Sequence, residues 1–346
     1  MKTIATLLSC VTLVAAEPAK RPSAEEMKAL ALKMAVDVTS TKDGTPQKVV
    51  YYQPETAAKN LAGPAVPLLV FLHSWSGSIE QAPGLVGLAK HRGWVMIAPA
   101  FRGINNHPEA CASDLASQDI VDAVEYAKSH ARIDTDRIYL VGGSGGGHMS
   151  LVMAARAPDL WAGVSAWVPI SDLTAWHAES TARKNNYAKM IEQCCGGKPG
   201  PATEAEYRHR SPLFHLAAAK GVPLDINTGI HDGHTGPVPV SHSLLAFNVL
   251  AAPDKQVSVA DIDFMVREQK IPAALAGETQ ADPEREKATL FRRISGNARV
   301  TVFEGGHESE SSAGVLWLSR QRRGQPADWS LGATPGQTGA VTEVSK

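Results

Sequence analysis

Nearly continuous apolar runs alternate along this chain with segments whose apolar residues recur every three or four positions. Val66-Pro-Leu-Leu-Val-Phe-Leu72 is the clearest run, and such continuity suits a strand buried on both faces. Trp94–Ala98 repeats it, Ile138–Val141, Ala162–Val168, Leu224–Thr228 and Arg299–Phe303 read as further strands, and Lys48–Tyr52 reads as an earlier one. Between these runs, Ile120, Val124 and Ala127 share one helical face, and Met149, Val152 and Met153 share another that Pro158 closes. Val240, Leu244 and Phe247 follow Pro239 at helical spacing, and a last helix is expected near Val315–Arg320. Ser23 and Glu26 form a capping box ahead of Met27, Leu30, Ala31 and Met34. Strands separated by helices predict an α/β fold, with a mainly parallel twisted sheet covered on both faces. In such sheets ligands bind beyond the carboxyl ends of the strands.

The ends of the chain read differently. Met1-Lys-Thr is basic, Ile4–Ala16 is apolar, and Val14-Ala-Ala16 before Glu17 fits a small-residue cleavage site, so residues 1–16 are expected to be a secretory signal peptide. That run is too short to span a membrane. The organisation expected is an N-terminal helical segment over 17–45 and one catalytic domain over 46–324. A lid at about 171–220 belongs to that domain, and a flexible Gly-, Pro- and Thr-rich tail over 325–346 follows it. The protein is expected to be exported, periplasmic or extracellular. With 34 basic and 35 acidic residues, the net charge of −1 offers no basic stripe for nucleic acid. In an exported protein Cys111 is expected either to pair with Cys194 or Cys195, or to stay unpaired with both.

The chemistry centres on Ile138-Tyr-Leu-Val-Gly-Gly-Ser-Gly-Gly-Gly147. A strand runs into Ser144 with Gly142 and Gly146 two positions to either side, the G-x-S-x-G pattern of a serine held on a sharp strand-to-helix turn. The lysine of a phosphate-binding loop is absent. A serine hydroxyl needs a base, and His307 is chosen from twelve histidines because it follows the last strand through Gly305-Gly306. The acid that holds the imidazole is expected to be Asp232, just past the strand Leu224–Thr228, with Asp172 as the alternative. His231, Asp232 and His234 offer too few ligands for a metal, and neither metal nor organic cofactor is expected. The oxyanion donors are expected to be Gly145 N–H and Trp75 N–H, with Ser74 as second choice for the latter. Trp75, Trp167 and Trp176 are candidate stacking surfaces for sugars, and Arg102, Arg292 and Arg293 are candidates for holding a carboxylate.

Gly142-Gly-Ser-Gly-Gly146, Asp232 and His307, in that order, resemble the α/β-hydrolase superfamily. Asp136-Arg-Ile-Tyr-Leu-Val-Gly-Gly-Ser144 and Val238-Pro-Val-Ser-His-Ser243 resemble its prolyl-oligopeptidase-like branch, which also holds acetyl xylan esterases and cephalosporin deacetylases. His73-Ser-Trp-Ser-Gly77 is similar to the oxyanion loop of that branch, with Trp75 in the donor position and His73 beside the substrate site. Thr235 stands where peptidases of the branch carry their acid, and the chain leaves no room for a peptide-confining propeller. The function expected from this resemblance is a serine carboxylic-ester hydrolase acting on an ester substrate, acetyl or methyl groups on a polysaccharide. An exported serine peptidase is the alternative.

Overall fold

The computed structural model describes residues 22–332, which build nine strands and ten helices around one sheet. The strands are β1 (Ala35–Thr39), β2 (Pro46–Tyr52), β3 (Val66–Leu72), β4 (Val95–Pro99), β5 (Ile133–Gly143), β6 (Gly163–Trp167), β7 (Leu224–Gly229), β8 (Thr289–Ser295) and β9 (Ala298–Phe303). Their order is β1-β2-β4-β3-β5-β6-β7-β9-β8. The six central strands, from β4 to β9, run parallel, while β1, β2 and β8 pair antiparallel at the two margins.

The pleat sorts the central strands into two cores. Leu68, Val70 and Leu72 of β3 face one cluster with Ile138 and Leu140 of β5, covered by α3 (Asp114–His130), α4 (Gly145–Arg156) and α8 (Ser241–Leu250). Leu69 and Phe71, with Tyr139 and Val141, face the other, covered by α1 (Ala24–Lys33), α2 (Pro83–Arg92) and α10 (Ser311–Leu318). A sheet buried on both faces explains why β3 and β4 lack polar alternation, while the polar residues of β7 and β9 pair inside it, as Arg299 Nε does with Asp225 Oδ1 at 2.8 Å. The predicted capping box is present: Glu26 N donates to Ser23 Oγ, and Ser23 N to Glu26 Oε2.

A third apolar cluster belongs to the insertion after β6, formed by α5 (Leu173–Ala182), α6 (Tyr187–Cys195) and α7 (Glu204–Arg210). Trp176, Ile191, Cys194 and Tyr207 pack there with Trp75 and Val238, so the insertion rests on the loop after β3. The insertion between α8 and β9 carries α9 (Val259–Glu268). Among the described residues no helix is long and apolar enough to cross a membrane.

Two expectations need correction, and one open choice is decided. The segment 17–45 is not all helical, because β1 follows α1; only Val38 of that five-residue strand is buried, too little for a pattern. No strand was expected at β8, an edge strand whose Arg292 and Arg293 hide its character in the sequence. The tail expected to be flexible from 325 is packed through residue 332: Trp329 stacks on Trp317 at 5.2 Å, and Ala327 N donates to Asn297 Oδ1. Of the two alternatives for the cysteines, the unpaired one holds: Cys111, Cys194 and Cys195 are all buried free thiols. The expected signal peptide, and the tail beyond 332, lie outside the described residues.

Candidate active site

β5 ends at Gly143 and α4 begins at Gly145, which leaves Ser144 alone on the turn with φ 59° and ψ −120°. Such backbone angles are costly for a residue with a Cβ and persist only where neighbours hold them. Ser144 N donates to Trp167 O at 2.9 Å, and His148 N donates to Ser144 O at 2.8 Å. The tight turn needs bare neighbours: a Cβ on Gly146 would fall 2.1 Å from Leu72 O.

Three side chains from distant parts of the chain meet here. His307 Nε2 lies 2.8 Å from Ser144 Oγ, and His307 Nδ1 lies 2.6 Å from Asp232 Oδ2. Asp232 is fully buried, and its Oδ1 accepts from Gly233 N at 2.9 Å and Val238 N at 3.1 Å. The carboxylate is thereby left one oxygen for the imidazole. The loops that carry the two residues are stapled together: Ile230 N donates to Phe303 O and His231 N to Gly305 O. Asp172, the alternative acid, caps α5 instead, accepting from Thr174 N at 2.8 Å and Ala175 N at 3.3 Å.

The backbone of Trp75 lies against Gly145, and neither amide donates to a protein acceptor among the described residues. Ser74 N, the second choice, is occupied by Gln81 Oε1 at 2.9 Å. Gln81 had no mark in the sequence, since its role depends on how the loop after β3 folds back. The Trp75 ring packs edge to face on Trp176 at 4.7 Å and on His148 at 5.9 Å. His148 Nδ1 donates to Ile170 O at 3.0 Å, and burial pushes its pKa down to about 4.

Several expected contacts do not form. Trp75, Trp167 and Trp176 are each at most 1% exposed, so none presents a face to a sugar. His73 is buried, stacked on Phe101 at 4.1 Å with its ring nitrogens 2.9 Å from Ser74 O and Ala100 O; it braces the loop and does not line the site. Arg102 is held by Asp43 and Asp119, Arg292 by Asp282, and Arg293 by Glu278. His231 turns to Glu304 at 2.7 Å, and His234 to Val266 O at 2.6 Å.

Beside Ser144 a cavity of about 310 Å³ opens, lined by Phe71, Leu85, Val141 and Trp167 on its apolar side and by His307 and Ser309 elsewhere. A serine on a strained turn, an imidazole within reach of it and a buried carboxylate behind, all at the carboxyl edge of a parallel sheet, define a serine hydrolase of the α/β-hydrolase fold. The prolyl oligopeptidase family model matches residues 88–265, just over half of the chain, and the protein belongs to that family. The matched stretch contains Ser144 and Asp232, while His307 lies beyond it.

An uncharacterized peptidase of Bacillus subtilis (strain 168), YtmA, is 29% identical over 166 residues, which cover 47% of this chain and 60% of that protein. The uncomplexed acylaminoacyl peptidase of Pyrococcus horikoshii has a similar fold, with a TM-score of 0.55 and 16% identity, covering 87% of this chain and 42% of that one. A puromycin-hydrolyzing peptidase of Mycobacterium tuberculosis gives a TM-score of 0.51 and 16% identity, covering 83% and 37%. The chain thus spans less than two thirds of the length of each of these relatives. The family and these relatives, all peptidases, overturn the expected ester hydrolase acting on polysaccharide.

Proposed function

We propose that the protein is a serine peptidase that cleaves peptide bonds by acyl transfer through Ser144. One observation carries this reading: the contact chain from Asp232 through His307 to Ser144, at 2.6 and 2.8 Å, in a member of the prolyl oligopeptidase family. In this scheme His307 takes the Ser144 proton as Oγ attacks the carbonyl carbon, and Asp232 holds the imidazolium that forms. The Gly145 and Trp75 amides receive the developing oxyanion. His307 then protonates the departing amine, and water releases the acyl group by the reverse route. Export through Met1–Ala16 belongs to the same proposal and rests on the sequence alone.

The test pairs two measurements. A fluorophosphonate probe should label the protein, and peptidyl aminomethylcoumarin amides should be hydrolysed; Ser144→Ala should abolish both. A wild-type protein that takes the label and turns over p-nitrophenyl acetate, but cleaves no amide in a broad peptide panel, would refute the peptidase reading.

A further inference from the structure

The two flanks of Ser144 are built differently. On one flank, behind the Trp75 and Gly145 amides, the Trp75, Trp176 and Tyr187 rings pack successively at 4.7 and 4.9 Å and fill the space under the insertion. The open volume of about 310 Å³ lies on the other flank. Phe71, Leu85, Gly143, Trp167, His307 and Ser309 line it, and none of the three packed rings does.

Chemistry assigns the flanks. When a carbonyl is attacked, its oxygen turns to the amide donors and its departing nitrogen must lie within reach of His307 Nε2, which returns the proton. The departing group therefore lies on the side where His307 forms a wall. We propose that this cavity is the leaving-group subsite, and that it selects peptide bonds whose amine-side residue carries a leucine- or phenylalanine-sized apolar side chain. The proposal rests on the serine-peptidase reading.

Size and charge both support the assignment. An apolar cavity of about 150 Å³ accommodates benzene, and this one has roughly twice that volume. No lysine or arginine lines it, and its one carboxylate, Glu308, is held ionised by Gly306 N–H and Lys287. A free carboxylate on the departing residue would meet Glu308 without a cation of its own. The subsite thus suits a residue that continues as an amide, whose polar backbone atoms can meet the Ser309 and Ser311 hydroxyls of its lining.

Acyl transfer tests this directly. Wild-type protein is acylated with p-nitrophenyl acetate in the presence of phenylalanine amide, leucine amide, glycine amide or free phenylalanine. The acceptor nitrogen attacks the acyl carbonyl, Ser144 Oγ leaves and regains its proton through His307, and the N-acetyl product is released for chromatographic counting against acetate. Phenylalanine amide and leucine amide should capture the acyl group about tenfold or more better than glycine amide or free phenylalanine. Leu85→Trp fills the cavity from α2 and should lower the phenylalanine-to-glycine capture ratio by about tenfold. Ser311→Phe, entering from α10, should lower it in the same direction, with thermal melting used to verify that each variant is folded. Equal capture of all four acceptors, or a ratio unmoved in both folded variants, overturns the assignment. Acylation by an activated ester needs no peptide substrate. Selective capture without any peptide cleavage would therefore defeat the peptidase reading and leave the subsite standing.

Discussion

The backbone nitrogen of Trp75 approaches the α-carbon of Gly145 so closely that a Cβ at position 145 would fall 2.3 Å from it. Gly145→Ala should therefore push the Trp75 amide away from the proposed oxyanion position. Loss of one such donor lowers kcat by about 10²–10³-fold. KM should change little, because the donor acts on charge that develops only in the transition state. Steady-state kinetics on a coumarin amide would check this, and a loss confined to KM would show that the contact serves binding instead.

Asp232 and Asp172 can be separated by substitution. Asp232→Asn should keep the shape of the site but disrupt the tautomer presented to Ser144, lowering kcat by about 10³–10⁴-fold. Asp172→Ala removes the α5 cap seen at Thr174 N and Ala175 N, costing about 1 kcal/mol of stability with kcat within about threefold of wild type. Unfolding curves and kinetics on both variants give the comparison, and equal kinetic damage from the two would undo the assignment.

His148 makes stability depend on pH. Its pKa is depressed to about 4, first by burial, with Arg156, His242 and Arg210 acting in the same direction and the Ile170 carbonyl opposing. The unfolded chain then binds the proton more readily, so stability from this group is full above pH ~6.5 and lost as pH falls toward ~4. The loss is on the order of 3 kcal/mol. In urea unfolding at pH 7 and pH 4, His148→Gln should narrow the difference between the two conditions by about that amount. Identical pH dependence in the two proteins would count against it.

Trp329 ties the end of the described chain to the body. Its ring stacks on Trp317, the Arg299 guanidinium lies 4.8 Å over it, and its Nε1 donates to Gly296 O at 3.1 Å. Trp329→Ala should cost about 1–2 kcal/mol, part of the value of fully burying a large apolar side chain, because the ring is half-buried. Because this contact is far from Ser144, activity per folded molecule should stay at wild-type level. A melting temperature equal to wild type would show that the segment is not held as described.

Much of the sheet was legible in the sequence, for a physical reason. Strands buried on both faces are mostly apolar, so β3 and β4 announce themselves, and the turn at Ser144 can be made only with glycines beside it. The margins were harder. β1 buries a single residue, β8 carries two arginines, and Trp329 reads as part of a polar tail until Trp317 is placed beside it.

The sequence by itself determined an α/β hydrolase with a serine on a strained turn, because local spacing encodes burial and backbone geometry. Tertiary structure alone decided which way each remaining side chain faces: that Asp232 meets His307 while Asp172 caps a helix, that Trp176 is buried, and that the cavity opens beside His307. Apart from the local cap at Asp172, these depend on contacts between residues tens to hundreds of positions apart, and no local pattern of apolar and polar residues records such contacts.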